Sequence, residues 1–209
     1  MLLWRPVGMS ELALIYEADM ATFPPRLPEQ PIFYPVLSTR YAEQIAREWN
    51  ATSEGAAGYV TRFEVSDVYL ARFERHIVGA REHEELWVPA AQLGEFNAQI
   101  APPIEVVCAY FGSGFAGYVP QRFLLAGREA RAQFATLVDV LEYSGMDFIL
   151  ETQANELAVY LNFPFWRACS PAALDTTAGA QAKVLDALRT CWNDAKHGAP
   201  LVERSELAV

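Results

Sequence analysis

The chain has 209 residues, 52% of them apolar, and a formal net charge of −10. That length can bury a core as one large domain or two small ones, and the apolar share excludes a disordered chain. The excess of acid, without a basic cluster, disfavours tight binding of duplex nucleic acid through its phosphates. No apolar run approaches the roughly 18 residues of a membrane span. Met1-Leu-Leu-Trp-Arg-Pro reads as an edge strand, since a signal peptide needs a basic start and a longer apolar middle. The three cysteines, Cys108, Cys169 and Cys191, are odd in number and lack metal-ligand spacing. They predict reduced thiols and a cytoplasmic setting.

In chain order, Leu2 to Val7 reads as a short strand. Ser10 is a candidate cap for a helix running to about Met20, with Leu12, Ile15, Tyr16 and Met20 on one face. The stretch from Phe23 to Pro31 holds four prolines and predicts a rigid loop with Arg26 at its centre. Ile32 to Val36 is a strand candidate. Ser38 can cap the next helix, where Tyr41, Ala42, Ile45, Ala46 and Trp49 form an apolar stripe. Asn50 to Gly58 reads as a turn. Gly58 to Val65 alternates as a strand, as does the short run Leu86 to Val88. Ala90 to Ile100 predicts an amphipathic helix, and Ile104 to Phe111 a further strand.

Gly112 to Gly117 breaks this pattern and marks a boundary. It divides the chain into a first domain over residues 1–115 and a C-terminal extension over 116–209, packed on the first. In the extension, Arg128 to Tyr143 reads as a helix. Phe148 to Thr152 and Leu157 to Leu161 read as two strands turning at Ala154-Asn155, with Asp147, Glu151 and Glu156 as solvated flanks. Gly179 to Trp192 reads as a last helix. The aromatic run Asn162-Phe-Pro-Phe-Trp166 predicts glue between elements, and the tail after Pro200 a frayed end.

The chemistry concentrates at His83-Glu84-Glu85-Leu86-Trp87-Val88-Pro89, a carboxylate opening a short strand that a proline closes. Strand alternation turns Glu84 away from Glu85, and Trp87 is expected in the core. This run resembles the last motif of ADP-ribosyltransferases, where Gln-x-Glu or Glu-x-Glu precedes three apolar residues and a proline. Leu2-Leu-Trp-Arg-Pro resembles that family's first strand. Ile32-Phe-Tyr-Pro-Val-Leu-Ser-Thr-Arg-Tyr resembles its aromatic strand and Ser-capped helix. Together the pieces span roughly residues 2–111.

The resemblance implies an α+β fold: an ADP-ribosyltransferase-like split β-sheet with flanking helices, here followed by a C-terminal helix–β-hairpin–helix unit. It implies NAD as substrate, with nicotinamide released and ADP-ribose passed to an unidentified acceptor. Carried over, Arg5 contacts the NAD ribose or a phosphate, Tyr34 and Tyr41 frame nicotinamide, and Ser38 matches the serine at the helix start. Glu85 is the catalytic acid, expected to face the cleft that holds Arg5. A fixed carboxylate suits that role because cleaving the N-glycosidic bond develops an oxocarbenium ion. Arg26 is placed to reach a pyrophosphate. His83 stands where the family carries Gln or Glu to orient the acceptor. It could orient a target group, act as a base or be exposed. No metal is expected, since His76, His83 and His197 lack ligand spacing. Two other readings are an inactive binding module on the same fold and an RNA 2′-phosphotransferase-like enzyme.

Overall fold

The computed structural model describes residues 1–53, 55–80, 83–195 and 198–208. His197 lies outside them. The chain is a mixed α and β protein with flanking helices around a mixed sheet. The sheet takes the order β1 (Leu2–Val7), β3 (Ala57–Val65), β7 (Ile100–Phe111) and β8 (Ser205–Leu207). Its first three strands are antiparallel neighbours, and β8 runs parallel to β7. Two short pairs flank it: β2 (Ile32–Phe33) with β6 (Val88–Pro89), and β4 (Arg75–Ile77) with β5 (Glu84–Leu86). Single bridges, Trp4 to Val36 and Val36 to Glu85, stitch these pairs to β1. The sheet therefore parts beyond Val36, where β2 leaves β1 to follow β6.

Helix α1 (Met9–Glu17) follows β1 directly. Its N-cap is Gly8 rather than Ser10. Helix α2 (Thr39–Glu48) starts as expected, with the Ser38 hydroxyl accepting from the Tyr41 N–H at 3.2 Å. It lies so close to β3 that a Cβ at Gly58 would sit 2.1 Å from the Ala46 carbonyl oxygen. Tyr41, Ala42 and Ala46 pack with Val36, Val60, Cys108 and Tyr110 in a small core under this helix. The larger core lies on the other face of the sheet. It draws Leu3, Val7, Phe33, Phe63 and Phe111 together with Phe134, Tyr160, Phe165 and Trp166, so both halves of the chain share it.

After two short helices, α3 (Asp67–Leu70) and α4 (Leu93–Asn97), the second half is helical. It comprises α5 (Ala130–Tyr143), α6 (Gly145–Ala154), α7 (Glu156–Ala168) and α8 (Ala178–Asp194). The expected hairpin is corrected here: residues 148–152 and 157–161 lie in α6 and α7. The apolar run Leu157-Ala-Val-Tyr-Leu161 looked strand-like because α7 is buried on most of its circumference, which erases the helical period. Pro164 sits inside α7. Glu151, expected in solvent, is buried and accepts from the Leu124 and Leu125 N–H groups and from Asn155 Nδ2. The tail is corrected too. Leu201 and Val202 are buried, and β8 completes the sheet.

The two halves are tied by polar contacts as well. The Tyr59 hydroxyl of β3 donates to the Leu161 carbonyl of α7 at 2.8 Å. Asn162 exchanges two hydrogen bonds with the Tyr118 backbone and donates a third to Gln133. Gly117 must be glycine: its φ is +91°, and a Cβ there would meet Ala130 Cβ at 2.5 Å.

Candidate functional site

Glu85 stands at the middle of β5, one residue later than a strand start. The register Ile32 to Pro89, Phe33 to Val88 and Val36 to Glu85 is continuous. Paired residues share a face and neighbours alternate. Glu85, Trp87, Tyr34, Val36 and Trp4 therefore point to one side, and Phe33, Leu86 and Val88 point into the large core. Glu84 turns away from Glu85, as expected, toward Arg75.

Glu85 is 8% exposed, and each carboxylate oxygen has a donor. The Tyr41 hydroxyl donates to Oε1 at 3.0 Å and the Trp87 indole N–H to Oε2 at 3.1 Å. Burial, and then the bond to Glu85, pushes the Tyr41 hydroxyl up to about 12, so it stays a donor at neutral pH. The charge is thereby fixed in place on a side chain whose oxygens retain lone pairs for a ligand.

Trp87 corrects an expectation. It is 39% exposed rather than core, and its ring stacks on His76 at 3.9 Å. A cavity of about 300 Å³ opens beside these two rings, bordered by Arg72, Glu74 and Gln92. His83 stacks on Tyr41 with centroids 4.2 Å apart, while its Nε2 faces Gln44 Oε1 at 3.1 Å. One face of the Tyr41 ring is thus taken within the chain. Ser38 caps α2 and thereby sets where Tyr41 starts its turn.

Arg5 is placed differently from the expectation. It follows Trp4, so it leaves β1 on the face opposite Glu85. The two side chains do not open onto a common cleft directly. The Arg5 guanidinium instead fills the split between β1 and β2, with its carbon 4.7 Å from the Phe33 ring centre and 5.3 Å from that of Tyr34. It is buried and donates to Glu11 of α1, Nε to Oε1, at 2.9 Å. Tyr34, half-exposed on Glu85's face, is the residue that joins the two sides of the split.

Arg26 comes from the proline loop into the same place. Its side chain is 8% exposed and lies 3.8 Å from the same Glu11 oxygen, with its guanidinium carbon 6.0 Å from the Tyr34 ring centre. Its Nε is buried without a hydrogen-bond partner among the described residues. Burial and then the neighbouring Arg5 hold the Arg26 guanidinium below its ordinary value, against the pull of Glu11. Two buried cations thus share one carboxylate, and among the described residues no other ion pair is made by either.

Sequence reasoning singled out Arg5, Arg26, Tyr34, Tyr41 and Glu85; it did not single out Glu11, which meets both arginines, and it placed Trp87 in the core rather than on Glu85. Trp87 was legible, being two residues after Glu85 on a strand. Glu11 was not, because its meeting with Arg5 depends on how sharply the chain turns at Gly8. Among the described residues, no group of three or more His, Cys, Asp or Glu side chains is arranged to hold a metal ion. Among them, no helix is long and apolar enough to cross a membrane. Comparison with known proteins found no matching family model, curated protein or solved structure.

Proposed function

We propose that this chain transfers ADP-ribose from NAD to an acceptor and releases nicotinamide, in a cytoplasmic setting. The observation that supports the reading is a Glu85 carboxylate held by two donors, with Tyr34 between it and the Arg5–Arg26 pair, which shares one carboxylate on the other side of the sheet. NAD carries both complements: a diphosphate, and a ribose that becomes cationic as its bond to nicotinamide breaks. Arg5 and Arg26 hold the diphosphate, and the ligand supplies the negative charge that this pocket lacks. A nucleotide touching both Arg5 and Glu85 crosses the split in the sheet beside Tyr34, a half-exposed aromatic ring of the kind that suits the cationic nicotinamide ring.

In the reaction, the bond from ribose C1′ to the nicotinamide nitrogen breaks, and nicotinamide leaves with the electron pair. Glu85 stabilises the positive charge that develops on the ribose, the stage at which a preorganised anion acts most strongly. An acceptor nucleophile then bonds to C1′ and gives up its proton. His83 lies just before β5, two residues from Glu85, with its ring stacked on Tyr41, and serves the acceptor side. The three cysteines are free thiols, which accords with a reducing compartment.

Two arginines converging on one point also favour a second reading, a 2′-phosphotransferase acting on RNA with NAD. Incubation with adenine-labelled NAD separates the readings. Label passed to an acceptor supports the first, and loss of a 2′-phosphate from an RNA end supports the second. Absence of both with intact NAD leaves the inactive binding module.

A further inference from the structure

Helix α6 is apolar on both sides. Phe148 and Thr152 face the core, while Met146, Ile149 and Leu150 are exposed on the opposite side, at the i, i+3, i+4 spacing of one helical stripe. Tyr143, at the end of α5, continues the stripe at 86% exposure, beside Met146 at 73%. Phe123 and Leu124 extend it from the other flank, because Glu151 of α6 accepts the Leu124 N–H. Phe123 is 72% exposed and holds a left-handed backbone, φ +52°. That conformation is unfavourable for an aromatic residue by on the order of 1 kcal/mol, and among the described residues no contact offsets it with burial of the ring.

We infer that this face is the interface of a homodimer, formed by α6 packing against α6 of a second copy about a twofold axis. Three observations commit the occupant. The six side chains expose on the order of 700 Å², close to the roughly 800 Å² that each partner gives to a standard interface. The six side chains are themselves uncharged, so a twofold contact sets apolar surface against apolar surface, with the exposed Glu142 and Asp147 beside it. The chain's charge of −10 sets it against an anionic lipid surface. Antiparallel packing of two such helices also opposes their dipoles favourably.

The test is sedimentation equilibrium of the full chain, 23.3 kDa, from micromolar to millimolar concentration. The expected result is a mass that rises to twice that of the chain. Association should tighten as salt increases, because screening removes the repulsion between two copies of like charge. Met146→Glu and Leu150→Glu, each on exposed positions, should weaken dimerisation by at least about thirtyfold, with unchanged circular dichroism and with melting unchanged at concentrations where the wild type is monomeric. A wild type monomeric at millimolar concentration would overturn the inference, as would a dimer that both variants leave intact. A dimer that salt dissociates would also overturn it, since charge pairs would then be holding it. Capture by uncharged phospholipid vesicles without self-association would assign the face to a membrane instead.

Discussion

Replacing Arg26 with methionine should make the ligand-free protein more stable. Arg5 and Arg26 are both buried, and both face Glu11, at 2.9 and 3.8 Å. Among the described residues, one positive charge therefore lacks a counterion, and Arg26 Nε lacks a hydrogen bond. Replacing a poorly compensated buried ion with an apolar side chain of similar length is stabilising by about 1–4 kcal/mol. Loss of the long-range contact with the Tyr34 ring offsets about 0.5 kcal/mol of this. A net gain of about 2 kcal/mol would raise the urea midpoint by roughly 0.7 M, taking a slope of about 3 kcal/mol per molar for a chain of this size. Glu11→Gln is the converse variant. It leaves two buried cations together and should cost about 2–4 kcal/mol, the lower end reflecting Glu11's partial exposure. Inorganic pyrophosphate at ten times its dissociation constant should stabilise the wild type by about 1.4 kcal/mol and leave Arg26→Met nearly unmoved. Urea denaturation at pH 7 with and without pyrophosphate reads all of these. A destabilised Arg26→Met, together with equal pyrophosphate effects on both proteins, would refute the reasoning.

Tyr41→Phe removes one of the two donors to the Glu85 carboxylate and should cost about 1.5–3 kcal/mol in the same denaturation assay, since the acceptor is charged and buried. Glu151→Ala strands the Leu124 and Leu125 N–H groups together with Asn155. It should cost about 3–5 kcal/mol, a fall of roughly 10 °C in melting temperature for a chain of this length. Arg204 donates to Glu43 at 2.5 and 3.0 Å, and that bond holds the Glu43 carboxyl below its ordinary 4.5. The pair's contribution is therefore present above pH 4.5 and is lost as the pH falls through the lowered folded value. Arg204→Ala should cost about 1 kcal/mol or less at pH 7, given the exposure of the arginine, and the gap to wild type should close on acidification. A gap that stays constant down to pH 3 would contradict that assignment.

The first half was legible because its elements are amphipathic and punctuated. The α2 stripe from Tyr41 to Ala46, its Ser38 cap and the alternation of Gly58 to Val65 each carry a period or a cap that survives without neighbours. The α7 segment failed for the opposite reason. With Val159, Tyr160, Leu161, Phe163 and Trp166 all buried, no polar face remains to mark a helical period, and aromatic and branched residues then mimic a strand. The tail beyond Pro200 looked frayed because three residues of strand are specified by the edge of β7 rather than by their own propensity. At the site, motif spacing located Glu85, Tyr41 and Arg5. Which face each side chain takes depends on the single bridges through Val36, and those are long-range pairings without a local signature.

The most direct test of the account is the release of nicotinamide from NAD by the wild type and by Glu85→Gln, read beside NAD binding by calorimetry. The substitution removes the charge while leaving side-chain volume nearly unchanged. The account predicts measurable release by the wild type, a fall of a hundredfold or more in the variant, and affinity for NAD within a few-fold of wild type, because the lost interaction acts chiefly in the transition state. Equal release by both proteins, or a wild type that does not bind NAD, would contradict it.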